Sequence, residues 1–207
     1  MIRIAEIFRS IQGESGFIGF PCTFVRVAGC NLDCTYCDTR YAQKKGKAMS
    51  IRAISNEVAG KGCTLVEITG GEPLLQKDVP ALCEKLLFNK ATVLVETNGT
   101  CDISVLPSAC HRIVDIKCPG AGMGECFYMP NLHNIRAIDE IKFVVFDRHD
   151  FTWARRFIQR HNLLSICEIT ISPCHGEVSP ETVAEWIFES TMHVRLGIQL
   201  HKYLNMR

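Results

Sequence analysis

Charge of either sign is not in excess in this sequence. Twenty-three Lys and Arg face 22 Asp and Glu, a formal net charge of +1, so no broad field draws the chain to nucleic acid or an anionic membrane. Long hydrophobic runs are missing as well. Stretches such as "IKFVVF" are far too short to span a bilayer, and the opening "MIRIAEIFRS" has no apolar signal-peptide core. The expectation is a cytoplasmic protein without nucleic acid or membrane among its partners. Repeats, low-complexity tracts and linkers are absent too, so residues 1–207 are expected to form one domain, long enough to bury a substantial core.

Cysteine, by contrast, is abundant, with twelve in the chain. A disulfide framework belongs to small secreted domains, and this chain has neither property. Nine cysteines are scattered (Cys22, Cys63, Cys83, Cys101, Cys110, Cys118, Cys126, Cys167 and Cys174) and read as buried filler. The other three are packed into "VAGCNLDCTYCDT", at Cys30, Cys34 and Cys37. Structural zinc sites pair such a knuckle with a second ligand pair, and no second knuckle or closely spaced His pair exists here. Cys22 could supply a fourth ligand, which keeps a zinc site open as an alternative. A CxxxCxxC triplet is better suited to three corners of a [4Fe–4S] cluster whose fourth iron stays available.

Short β-rich runs alternate with helix-period segments. The strand candidates are "CTFVRVAG", "TLVEITG", "TVLVETNG", "RIVDIK", "DEIKFVV", "CEITIS" and "VRLGIQL". Leu75, Val79, Leu82 and Leu86 mark one helical stripe, and Val183, Trp186 and Ile187 another, with Ser179-Pro180 as its start. This alternation predicts an α/β fold with a parallel sheet. A complete barrel takes ~250 residues, so a partial, open (β/α) barrel is expected, with a reduced number of helices because "HRIVDIK" follows "ETNGT" closely. Its functional loops gather at the carboxyl ends of the strands. "TGGEP", "ETNGT", "DIKCPG" and "SPCHG" should therefore converge on one face, with "CPGAGMGECFYMPN" as a long mobile loop or lid beside them.

The cysteine spacing, the "GGEP" after a strand and the aromatic Tyr36 before the third cysteine resemble the radical S-adenosylmethionine (SAM) superfamily. That resemblance implies a barrel of the radical SAM type. It also implies that methionine of SAM chelates the open iron and that backbone at Gly71, with Glu72, receives its amino group. More narrowly, "EIFRSIQGE", the "FVR" strand, "GCNLDC", "CDT", "TGGEP", "ETNGT", "DIKCPG", "ISPCHG" and "RLGIQLHKYL" resemble the 7-carboxy-7-deazaguanine synthase family along nearly the whole chain. The resemblance implies further SAM contacts at Asn98, at Asp115, Ile116 and Lys117, and at Ser172, Pro173, Cys174 and His175. It implies Mg²⁺ at Thr39, although Asp38-Thr39 considered alone could equally cap a helix.

The substrate implied is 6-carboxy-5,6,7,8-tetrahydropterin, contacted by Ile11, Gln12, Gly13, Glu14, Arg26 and Thr69. An amide and a carboxylate can pair with a pterin edge, and a guanidinium can clamp a carboxylate. A surface turn and a structural salt bridge are the plain alternatives for these residues. The carboxyl-terminal segment is implied to fold back toward the substrate, with His201 and Arg207 in reach; a frayed end is the alternative. The implied chemistry is hydrogen abstraction from C6, ring contraction and loss of ammonia, with SAM regenerated. Flavodoxin is an implied electron donor, and a homodimer would cover the edges of an incomplete barrel. Two other functions stay open, a small radical SAM activase of a glycyl-radical enzyme and a zinc or iron–sulfur module without catalysis.

Overall fold

The computed structural model describes residues 1–206 of the chain; Arg207 lies outside the described residues. All strands join one nine-stranded sheet in the order β3-β1-β2-β4-β5-β6-β7-β8-β9. Here β1 is Ile2–Ile11, β2 Pro21–Val27, β3 Lys47–Met49, β4 Leu65–Gly70, β5 Thr92–Thr97, β6 His111–Asp115, β7 Glu140–Val145, β8 Glu168–Pro173 and β9 Arg195–Leu196. From β2 through β9 every neighbouring pair is parallel, while β1 runs antiparallel to both β2 and β3. The sheet does not close, as expected of a partial barrel.

Each parallel strand has two faces of different chemistry. Val25 and Val27, Val66 and Ile68, and Val93 and Val95 point outward to helices α2 (Ile51–Lys61) and α3 (Val79–Phe88). Val114, Ile141, Phe143, Val145, Ile169 and Ile171 form a second outer core with α4 (Arg148–Arg160) and α5 (Pro180–Ser190). Inward positions one residue out of phase start apolar at the amino end, with Cys22, Phe24, Leu65, Leu94 and Ile113. They then turn polar: Arg26, Glu67, Thr69, Glu96, Asp115 and Lys142. Period-two alternation thus writes an oily outside and a charged lumen into the same strands.

The structure departs from the sequence pattern at several elements. Strand β1 escaped detection because its register shifts between Ile4 and Glu6, and such a bulge breaks the alternation that announces a strand. Leu75 is not part of α3; it lies in a 3-10 turn, Pro73–Leu75, and is 47% exposed. "VRLGIQL" yields only the two-residue β9, and its end leads into the short helix α6 (Leu200–Tyr203). Ser179 does start α5, its Oγ accepting from the Thr182 N–H at 3.2 Å. The connections after β5 and β6 carry only 3-10 turns, Ile103–Val105, Pro119–Ala121 and Met129–Asn134.

Candidate active site

The cluster loop leaves β2 and ends in the short helix α1 (Arg40–Lys44). Cys30, Cys34 and Cys37 all line one cavity of about 390 Å³ inside the open barrel. The loop is pinned from two sides. Arg40 donates to the Cys34 carbonyl at 3.0 Å and the Thr35 carbonyl at 3.3 Å. The Thr35 N–H and hydroxyl donate to the carbonyls of Ala121 and Gly120, at 3.1 and 2.9 Å. Burial pushes the Cys34 thiol up to about 11 and raises Cys30 too.

Two features bear on what these thiols hold. Cys22 sits at the amino end of β2, five residues and roughly 16 Å of strand before Val27, so it cannot complete their ligand set. Moreover, among the described residues only Asp147, His149 and Asp150 bring three such ligand atoms within 4.8 Å of one another, so Cys22 and the three loop cysteines form no ready-made four-sulfur site.

The four loops expected at the carboxyl face do converge. Gly70 and Gly71 at the end of β4, Asn98 just after β5, Asp115 and Lys117 at the end of β6, and Ser172, Pro173, Cys174 and His175 at the end of β8 line this same cavity. Gly71 is held so close that a Cβ there would collide with the Gly29 carbonyl and the Cys30 side chain. Glu72 turns away from the cavity. Its carboxylate accepts from Leu74 N–H (2.9 Å), Thr97 hydroxyl (2.8 Å) and Asn98 N–H (2.7 Å), a strut between the ends of β4 and β5. Ile116 also turns away, into the outer core. Lys117 bonds Asp115 at 3.0 Å and lies 5.5 Å above the Tyr36 ring. The Tyr36 hydroxyl and Asp115 Oδ1 are buried without a partner among the described residues, polar capacity left for a ligand. Thr39 occupies the N-cap position of α1 but makes no capping bond; its hydroxyl is 3.7 Å from Cys37 Sγ and faces the cavity.

Residues 12–20, between β1 and β2, meet the inward faces of β4 and β7. Ile11, Gln12, Gly13 and Glu14 line the cavity with Arg26, Thr69 and His201. Gln12 is buried, its Oε1 accepting from the Glu14 N–H at 2.9 Å and its Nε2 donating to Glu67. The carboxyl-terminal segment closes over this stretch. Leu200 N–H donates to the Gly13 carbonyl and Gln199 Nε2 to Glu14, both at 2.9 Å, and a Cβ on Gly13 would strike the His201 ring. Lys202 reaches Asp38 at 3.4 Å, tying the same segment to the cluster loop. Arg26 donates from Nε to Glu6 at 3.0 Å and lies 5.7 Å from the Phe8 centroid.

Three charged residues that the sequence alone did not assign to the site complete the wall: Glu67, Glu96 and Lys142. Lys142 bonds Glu14 at 2.9 Å, Asp115 at 3.2 Å and Glu96. Burial opposes charge on all of them. Even so, Lys142 holds Glu14 and Glu96 below the usual carboxylate range, and they hold it well above the usual lysine range. Each lies in phase with Arg26 or Thr69 on an inward face, and that phase was the signal available in "VEITG", "VET" and "IKF".

The expected lid is on this face but tied down. Besides the bonds to Thr35, Met123 Sδ accepts from the Asp33 N–H at 3.1 Å, and Tyr128 N–H donates to the Gly99 carbonyl at 3.0 Å. No helix among the described residues is long and apolar enough to cross a membrane.

Comparison with known proteins agrees with this geometry. Residues 24–119 match the Radical SAM superfamily model. The chain is 41% identical to a 7-carboxy-7-deazaguanine synthase of Koribacter versatilis, covering 98% of this chain and 96% of that protein. It is also 41% identical to the same-named protein of Chlorobaculum tepidum, covering 98% and 94%. The crystal structure of QueE from Escherichia coli shares the fold with a TM-score of 0.81 at 24% identity, covering 97% of this chain and 94% of that one. The chain belongs to the 7-carboxy-7-deazaguanine synthase family and is a radical SAM enzyme.

Proposed function

We propose that this chain, as one radical SAM domain, converts 6-carboxy-5,6,7,8-tetrahydropterin to 7-carboxy-7-deazaguanine and ammonia, a step of queuosine biosynthesis. The observation that carries this reading is the meeting of three cysteines with Gln12, Glu14, Arg26, Thr69 and His201 in one cavity. Cys30, Cys34 and Cys37 would hold the [4Fe–4S] cluster. Gly71, Asn98, Asp115, Lys117 and the Ser172–His175 loop would hold SAM, for which the unpartnered Tyr36 hydroxyl and Asp115 Oδ1 offer hydrogen bonds. When bound, these groups supply the 5′-deoxyadenosyl radical that takes the hydrogen from C6 of the pterin.

The chain's own share is placement and shelter. Arg26 is a planar cation for the substrate carboxylate, with Glu6 setting its orientation. Gln12 and Glu14 offer an amide and a carboxylate to the pyrimidine edge. The Gln199–His201 stretch shuts the cavity over them, excluding water while the ring rearranges. Thr39, its hydroxyl free of capping duty, would offer Mg²⁺ the hard oxygen donor that this cation prefers. A flavodoxin-type donor supplies the electron, and the enzyme is a homodimer. The exposed Phe88 and Phe188 are apolar surface that such association would cover.

The test is anaerobic turnover of the reconstituted enzyme with dithionite, SAM, Mg²⁺ and the tetrahydropterin, followed by mass spectrometry. 7-Carboxy-7-deazaguanine is the expected product. Glu14→Gln and Arg26→Ala are expected to lose it while keeping iron, sulfide and SAM binding. 5′-Deoxyadenosine without that product would favour another radical SAM substrate.

A further inference from the structure

We propose that Glu67 is a further specificity-determining residue of this cavity, donating a hydrogen bond to an acceptor, an oxo group or ring nitrogen, on the heterocycle. The inference rests on the pterin reading above. Glu67 projects from β4 into the lumen, two residues before Thr69, and is 3% exposed. Among the described residues Gln12 Nε2 is its side chain's one hydrogen-bond partner, and it binds Oε2. Oε1 is therefore left to whatever fills the cavity.

The charges around it decide what kind of partner it is. Glu14 faces it from the segment after β1 and Glu96 from β5, with the Cys22 thiol on β2. Lys142 on β7 is the nearby cation, and it is already shared by Glu14, Glu96 and Asp115. A further carboxylate in that company has no counter-charge, and buried carboxyl groups crowded this way cannot all ionise. Burial first, then Glu96 and Glu14, push Glu67 well above the usual carboxylate range. Burial and this crowding favour the neutral acid at Glu67, whose free corner is then an O–H. Glu14 presents only acceptors, for the amino and N–H edge of the pterin. Glu67 presents a donor, which distinguishes an oxo-pyrimidine from its diamino counterpart. It also fixes the orientation of Gln12, whose amide is held between Glu67 and the Glu14 N–H.

Two variants of the reconstituted enzyme separate this role from a structural one. Glu67→Gln keeps a donor and an acceptor in the same shape; Glu67→Leu keeps the volume and removes both. The probe is 6-carboxypterin, the stable oxidised analogue, titrated by fluorescence. Glu67→Gln is expected to bind within about threefold of wild type, and Glu67→Leu at least about tenfold more weakly, the loss of a buried hydrogen bond that leaves its partner unmet. A second readout needs no ligand. Replacing the neutral acid with Gln removes a group that the unfolded chain ionises above about pH 4.3. The melting temperature of Glu67→Gln should therefore rise relative to wild type between pH 4 and pH 8. Equal binding by wild type and Glu67→Leu, or a melting difference independent of pH, overturns the inference while leaving the proposed function standing. Failure of wild type itself to bind 6-carboxypterin overturns both.

Discussion

At the scale of single residues, the decisive group is Lys142. Its side chain is 5% exposed and is shared by three carboxylates from three different elements. A buried ion pair adds little net stability over an apolar replacement, but removing one partner strands the other. Lys142→Met leaves Glu14 and Glu96 facing each other without a cation, while Asp115 keeps only Lys117. That should cost about 3–5 kcal/mol at neutral pH, or roughly 6–20 °C in Tm for a chain of this size. Thermal melts should also show the deficit shrinking toward pH 4, where the stranded carboxylates take up protons. The sequence made half of this site readable. Cys30, Cys34 and Cys37 are local in sequence, and Gln12, Gly13 and Glu14 stand together after an apolar run, so motif and spacing expose them. Lys142, Glu96 and Glu67 come from three different strands, and only the curling of the open sheet brings them within reach of one another. Arg26 attracted notice as a cation inside an apolar strand; the same reasoning applied to "EIKFVV" and "VLVET" would have found two more. Glu72 and Ile116 turn their side chains away from the cavity, a direction that a motif position alone does not give.

At the scale of elements, the unusual feature is what covers the sheet where helices are missing. The connections from β5 to β6 and from β6 to β7 hold only 3-10 turns, which bury less apolar surface than an amphipathic helix. Hydrogen bonds to side chains take over. Asn131 donates to the carbonyls of Gly99 (3.0 Å) and Cys101 (2.8 Å) and accepts from Ile103 N–H at 3.0 Å. Arg112, on β6, donates to the Ile103 carbonyl at 3.2 Å and to the Asn134 carbonyl. Asp139 gathers Arg112 and Arg136, with no side-chain exposure of its own. Its burial opposes ionisation, yet the two arginines hold it below the usual carboxylate range. Asp139→Ala therefore strands a buried guanidinium and should lower stability by about 3–5 kcal/mol, measured by urea unfolding. Asp139→Asn, which still accepts hydrogen bonds, should lose less. The absence of a helix between β5 and β6 was legible from the short spacing between "ETNGT" and "HRIVDIK". The arginine–aspartate brace was not, since it depends on contacts 27 residues apart in sequence.

At the scale of the whole molecule, the near-neutral balance of charge conceals how much of it is interior. The overall formal charge of +1 says little about pH response, because the groups that titrate differently on folding are those inside the barrel and under its turns. Glu14, Glu96 and Asp139 have folded values below their unfolded ones. Their stabilisation is complete above the unfolded values, about 3.9 for Asp and 4.3 for Glu, and is lost as pH falls through the lowered folded values. Glu67 and Glu72 are shifted the other way, both raised by burial. Their effect runs opposite in sign: the unfolded chain sheds these protons above about pH 4.3 while the folded chain keeps them, so stability declines as pH rises from there. The two groups of carboxylates oppose each other on either side of that value. Melting temperature should therefore peak in mildly acidic solution, fall steeply below about pH 4 and fall gently toward neutrality. Melts from pH 3 to pH 9 check this directly. In a Glu67→Gln variant the gentle slope should become shallower while the steep acid limb remains, because the first belongs to the raised acids Glu67 and Glu72 and the second to the carboxylates paired with Lys142, Arg112 and Arg136.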